Sequence, residues 1–275
     1  RYQSAAGVQA DLETCLEALK ADRAIPDFVP GERDVPDRLH LAQRLYGREK
    51  ELKTLLDTFE RAAQGESELL LVSGYSGIGK SALVHEVQKP IVERRGYFAS
   101  GKFEQLTRDR PYAALIQAFG DLTRQLLTEP EESLAVWRGR IAAALGPNGG
   151  VLSAVIPEIE LIVGKQAEVE PLGLAESQNR WNLVFQRFVQ CFASEAHPLV
   201  LFLDDLQWAD GPSLKLLSQL CADRDVTHLF VIGAYRDNEV TAGHPLVIML
   251  DELHRTSAHI GAVTLGPLTL PNMTA

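Results

Sequence analysis

The chain has 275 residues, a formal net charge of −10 and a pI of about 5.2. That acidic balance argues against a broad nucleic-acid footprint, which needs a basic face. No run of about 18 apolar residues exists, so no membrane span is expected. The length allows one large domain, or one domain with an appendage.

The first residues, RYQSAAG, lack a charged-then-apolar signal layout, and with no initial Met the chain is expected to be a piece of a longer one. Val8, Leu12, Cys15, Leu16 and Leu19 recur at helical spacing over residues 3–21. Residues 24–38, with three prolines, read as an extended linker. Helical spacing resumes with Leu52, Leu55, Leu56 and Phe59. ELLLVSG, 68–74, is a short apolar run closed by glycine, the pattern of a buried parallel strand. A helix is expected over 80–95, with Pro90 as a kink or early stop.

Residues 96–103 fit a second strand, and helices are expected over 110–127, 131–145 and 176–196. The stretch 151–175 has no readable period. PLVLFLDD is a strand ending in acids; 212–223 reads as helix, 227–237 as strand, 244–255 as helix and 259–268 as strand. Strands alternating with helices predict an α/β fold with a parallel sheet covered on both faces. Cys15, Cys191 and Cys221 have neither metal nor redox spacing, so free thiols, mostly buried, in a reducing cytoplasm are expected.

Residues 74–81, GYSGIGKS, fit G-x-x-x-x-G-K-[ST]. Glycines let the backbone wrap so that successive N–H groups face one concavity and bind phosphate oxygens. Gly74 opens the loop, and the backbone of Ser76, Gly77, Ile78, Gly79, Lys80, Ser81 and Ala82 is expected to hold the phosphates. Lys80 supplies charge to the β- and γ-phosphates, and the Ser81 hydroxyl ligates Mg²⁺. The strand LVLFLDD places Asp204 to hold the metal and Asp205 to orient or activate the attacking water. Asp210, before GPSL, reads as a helix N-cap with Pro212 in the first turn. Trp208 reads as a packing residue. Arg236 ends the neighbouring strand, where it can sense the γ-phosphate or stabilise transition-state charge. Its bland alternative is a surface pair with Asp237 or Glu239.

LYGRE, GYSGIGKS, LFLDDLQWAD and VIGAYR, in this order, resemble the STAND class of P-loop ATPases, relatives of AAA+ and origin-recognition-like ATPases. The resemblance covers about 46–275 and implies a P-loop NTPase sheet of order 5-1-4-3-2. It also implies ATP/ADP as the nucleotide, Gly47 and Arg48 near its base and ribose, and slow hydrolysis serving a conformational switch. The helical lid that normally follows the sheet is expected to be absent. RYQSAAGVQADLETCLEAL resembles the end of a bacterial Ser/Thr kinase C-lobe, with Arg1 pairing the glutamate that closes the activation segment; this assigns 1–22 to that end and 23–45 to a linker. GKFEQLTRDRPYAALIQAF is similar to the ATPase module of large bacterial Ser/Thr kinase–sensor histidine kinase fusions. The implied partners are the adjacent kinase and sensor domains, with no nucleic acid and no membrane. Two alternatives stand beside the switch. One is an oligomeric AAA-type motor, whose trans-acting arginine would be sought among Arg94, Arg95, Arg108 and Arg110. The other is a scaffold with structural nucleotide.

Overall fold

The computed structural model describes residues 5–20, 47–107 and 110–267. The chain divides into two units, 1–44 and 45–275. In the first, α1 (Ala5–Lys20) forms where the helical spacing predicted it. Its expected apolar face is open, however: Leu12, Leu16 and Leu19 are exposed, while Asp11 and Ala18 are buried. The linker, Arg1 and the Leu45–Tyr46 part of LYGRE lie outside the described residues.

The second unit runs α2 (Glu49–Ala63), β1 (Ser67–Ser73), α3 (Lys80–His85), α4 (Gln88–Glu93), β2 (Tyr97–Lys102), α5 (Ala113–Leu126) and α6 (Glu131–Leu145). It continues with α7 (Gly150–Ser153), α8 (Glu158–Val163), α9 (Leu174–Phe192), β3 (Leu199–Asp204), α10 (Gly211–Ala222), β4 (Leu229–Tyr235), α11 (Pro245–Leu253) and β5 (His259–Thr264). The five strands form one parallel sheet in the order β2-β3-β4-β1-β5, as the resemblance implied.

Burial of both alternating faces explains why β1, β3 and β4 read as apolar runs. Leu69 and Leu71 of β1 point to one face with Leu199, Leu201, Leu229 and Val231, against helices that include α5, α9 and α10. Leu70 and Val72 point to the other with Val200, Phe202, Phe230 and Ile232, against α2, α3 and α4. Both faces of these central strands are covered, and the buried polar residues of β1, Glu68 and Ser73, are paired with Arg61 and Thr264. Rings dominate the thicker layer: Phe119 meets Phe185 at 5.0 Å and 81°, and Phe188 meets Phe192 at 5.1 Å and 90°. Such edge-to-face pairs add about 0.5–1.5 kcal/mol each beyond their buried area.

The helix expected over 80–95 is two helices. Pro90 has no N–H to give to the carbonyl of Glu86, and its ring crowds that turn. The break falls at Glu86 and Val87, and Pro90 lies in the first turn of α4. The unreadable stretch 151–175 contains the end of α7, the six-residue α8 and the irregular segment leading to α9.

Candidate functional site

β1 delivers the chain to a loop in which Gly74, Gly77 and Gly79 take φ of 147°, 75° and 100°. Side chains rarely adopt such angles, which is why the loop needs glycine. The turn hands directly to α3, where Leu83 N–H donates to the Gly79 carbonyl at 2.9 Å. Lys80 and Ser81 are therefore the first two helical residues. Lys80 is 7% exposed, and its Nζ donates to the carbonyls of Gly74 (2.8 Å) and Tyr75 (2.9 Å). Burial lowers its pKa from the ordinary lysine value, and Asp204 and Asp205 act in the opposite direction.

The adjacent acids point to different tasks. Asp204 ends β3 and accepts from Ser81 Oγ at 3.0 Å. A hydroxyl and a carboxylate side by side are hard oxygen donors that fit Mg²⁺, which keeps most of its waters. Asp205 takes φ 54°, the left-handed region, so its side chain swings away from that of Asp204. Its carboxylate accepts from Gln207 Nε2 at 2.7 Å and lies 3.3 Å from Lys102 Nζ and 3.5 Å from Arg236 Nε.

Arg236 makes the surface pair of its bland reading and also faces the cavity. It faces Asp205, and it also pairs with Glu239 at 2.8 Å. Its guanidinium carbon sits 4.8 Å from the centre of the Trp208 ring, so the packing residue also holds the arginine. Asp210 caps α10 as expected, accepting from Ser213 N–H at 2.8 Å with Pro212 in the first turn.

These groups line one cavity of about 270 Å³: Ser76, Gly77, Gly79, Lys80, Ser81, Ala82, Lys102, Asp204, Asp205 and Arg236. Gly74 and Ile78 lie behind it, Gly74 as an acceptor for Lys80 and Ile78 packed into the core beneath. Gly47 and Arg48 do not line it. Arg48 is buried and donates to the Gly266 carbonyl at 2.5 Å and to Glu51 at 3.3 Å, fastening the chain that leaves β5. Of the arginines considered for a partner subunit, Arg94 pairs with Glu60 at 2.5 Å and Arg108 lies outside the described residues.

Sequence reasoning missed Lys102 and Gln207. Lys102 was findable: it ends a predicted strand, and Arg236 was singled out by that same rule. Gln207 was signalled only by its place two residues after Asp205 in the LFLDDLQWAD motif, without a role.

The AAA ATPase domain family matches residues 44–232. Hybrid signal transduction histidine kinase G of Dictyostelium discoideum is 38% identical over 240 residues, covering 80% of this chain and 7% of that protein. Histidine protein kinase 1 of Candida albicans is 24% identical over 204 residues, covering 68% and 8%. The chain thus spans less than a tenth of the length of these relatives. The crystal structure of Cdc6p from Pyrobaculum aerophilum aligns with TM-score 0.46 and 14% identity over 87% of this chain and 50% of that one. Among the described residues no helix is long and apolar enough to cross a membrane. With the glycine loop, the acidic strand end and the family match in agreement, the chain belongs to the AAA ATPase domain family.

Proposed function

We propose that this module binds Mg·ATP in the loop cavity, hydrolyses it slowly, and uses the ATP and ADP states as a conformational switch within a larger signalling kinase. The observation that carries this reading is the contact of Ser81 Oγ with Asp204 at 3.0 Å, beside Lys80 and facing Asp205 and Arg236. It joins a phosphate cradle to a metal-competent pair in one cavity.

The loop amides and Lys80 would hold the phosphates, with Ser81 and Asp204 on Mg²⁺. The ion, when bound, neutralises developing charge on the β- and γ-oxygens. Asp205 would orient the attacking water, and Arg236 would meet the γ-phosphate. Slow hydrolysis fits the geometry. The Asp205 carboxylate is already engaged by Gln207, Lys102 and Arg236, so an attacking water competes with these partners for its remaining acceptor sites.

The relatives' names, all histidine kinases, support a signalling context in which the partners are adjacent kinase and sensor domains of one polypeptide. The STAND assignment rests on the four motifs, and a Ser/Thr kinase end at 1–22 with a linker at 23–45 rests on the resemblance. Gly47 and Arg48 are proposed at the base side, where Arg48 stiffens the approach to Gly266. A net charge of −10 keeps nucleic acid out of this reading.

Phosphate release under multiple turnover tests it. Turnover below about 1 s⁻¹, against an enzyme median near 10 s⁻¹, is expected, with Asp205→Asn at least about tenfold lower. Turnover at or above the median that rises with protein concentration would favour the oligomeric motor instead.

A further inference from the structure

Gln207 is 2% exposed, and its side-chain amide and main-chain carbonyl reach three other segments of the chain. Its Nε2 donates to Asp205 Oδ1 at 2.7 Å, and its Oε1 accepts from the backbone N–H of Arg236 at 3.1 Å. Its main-chain carbonyl is 3.1 Å from His244 Nε2. The direction of that last bond is fixed. His244 Nδ1 accepts from Leu246 N–H at 3.1 Å, capping α11, so Nδ1 carries no proton and Nε2–H must be the donor. One buried amide therefore spans the gap between the end of β3 and the end of β4, and its own backbone is pinned from the start of α11.

Asp205 and Arg236 follow the ends of different strands, 31 positions apart in the sequence. Pairing of β3 with β4 brings the two strand ends together, and the side-chain amide ties them from both directions. Its nitrogen fixes the carboxylate of a left-handed residue, and its oxygen fixes where the Arg236 backbone begins to project. A neutral amide suits this role because it offers one donor and one acceptor without adding charge beside Lys102, Asp205 and Arg236.

We infer that Gln207 is a positioning residue that holds Asp205 and Arg236 in one fixed arrangement facing the γ-phosphate position. This rests on the proposed Mg·ATP reading. It goes beyond that reading in predicting that discrimination between triphosphate and diphosphate depends on a residue that does not line the cavity.

The test is calorimetry on the whole chain with Mg·AMP-PNP and Mg·ADP, with thermal unfolding of each variant as a folding control. Gln207→Leu is expected to weaken AMP-PNP by about tenfold, the scale of one hydrogen bond to a charged group, and to leave ADP within about twofold. Gln207→Glu keeps the size and the acceptor for Arg236 N–H but puts a carboxylate against Asp205, and should show the same selective loss. Arg236→Ala should match it, and the double variant Gln207→Leu with Arg236→Ala should lose little more, because the two act as one unit. Equal weakening of both nucleotides, or of neither, in the Gln207 variants would overturn the inference while leaving the nucleotide site intact. Failure of the wild-type chain to bind either nucleotide would overturn the Mg·ATP reading and the inference with it.

Discussion

Ser81 and Asp204 come from positions 123 apart and meet at 3.0 Å, and metal dependence should be read at this pair. Ser81→Ala removes one of two oxygen donors, and Asp204→Asn removes the negative charge of the other. The predicted outcome is nucleotide affinity that no longer improves on adding Mg²⁺, a loss of about tenfold relative to wild type under saturating metal. Persisting metal dependence in Asp204→Asn would place the ion elsewhere. The thiols give a second residue-scale prediction. Burial pushes Cys191 and Cys221 from 9 up to about 12. At pH 8 both should resist iodoacetamide in the folded chain and react in urea. The unfolded chain releases these protons first, so the folded state binds more protons between pH 9 and about 12. Stability must then fall as pH rises through that window. A urea midpoint that holds steady across it would show the thiols to be wetter than the structure has them.

Residue types were legible where chemistry dictates spacing. The run 74–81 and the pair Asp204–Asp205 have few other uses in that context. What the sequence withheld was pairing. Nothing in the string says that Gln207 faces Arg236 N–H, or that Lys102 reaches Asp205 across two adjacent strands. Such contacts follow from strand register, which places Lys102 opposite Asp204.

At the scale of elements, β1, β3 and β4 were readable because both their faces are covered, so each is an apolar run. Helix boundaries were less so. The expected helix over 80–95 splits because one imino acid removes a hydrogen bond, and 151–175 was opaque because α7 and α8 are too short to display a period. A close approach between elements depends on Gly101, whose missing side chain lets the start of α5 lie on β2. A Cβ there would fall inside the Ala114 carbonyl. Because backbone cannot yield as a side-chain tip does, Gly101→Ala should cost about 1–3 kcal/mol of stability, visible as a lowered urea midpoint. A midpoint equal to wild type would mean that α5 shifts freely. Such a shift would also disturb Tyr112, whose ring stacks on Trp181 at 3.7 Å.

For the whole molecule, the sheet gathers the ends of β1, β2, β3 and β4 at one edge, so groups far apart in sequence share one cavity. Under the proposed reading, the output of such a cavity is motion passed to neighbouring domains. The account stands on nucleotide binding through the glycine loop. The direct measurement is titration calorimetry of the chain with Mg·ADP and Mg·AMP-PNP beside Lys80→Ala. Micromolar affinity, about −8 kcal/mol, that falls at least about a hundredfold in Lys80→Ala is the predicted result. A folded wild-type chain that binds neither nucleotide, or a Lys80→Ala variant that binds as tightly as wild type, would contradict it.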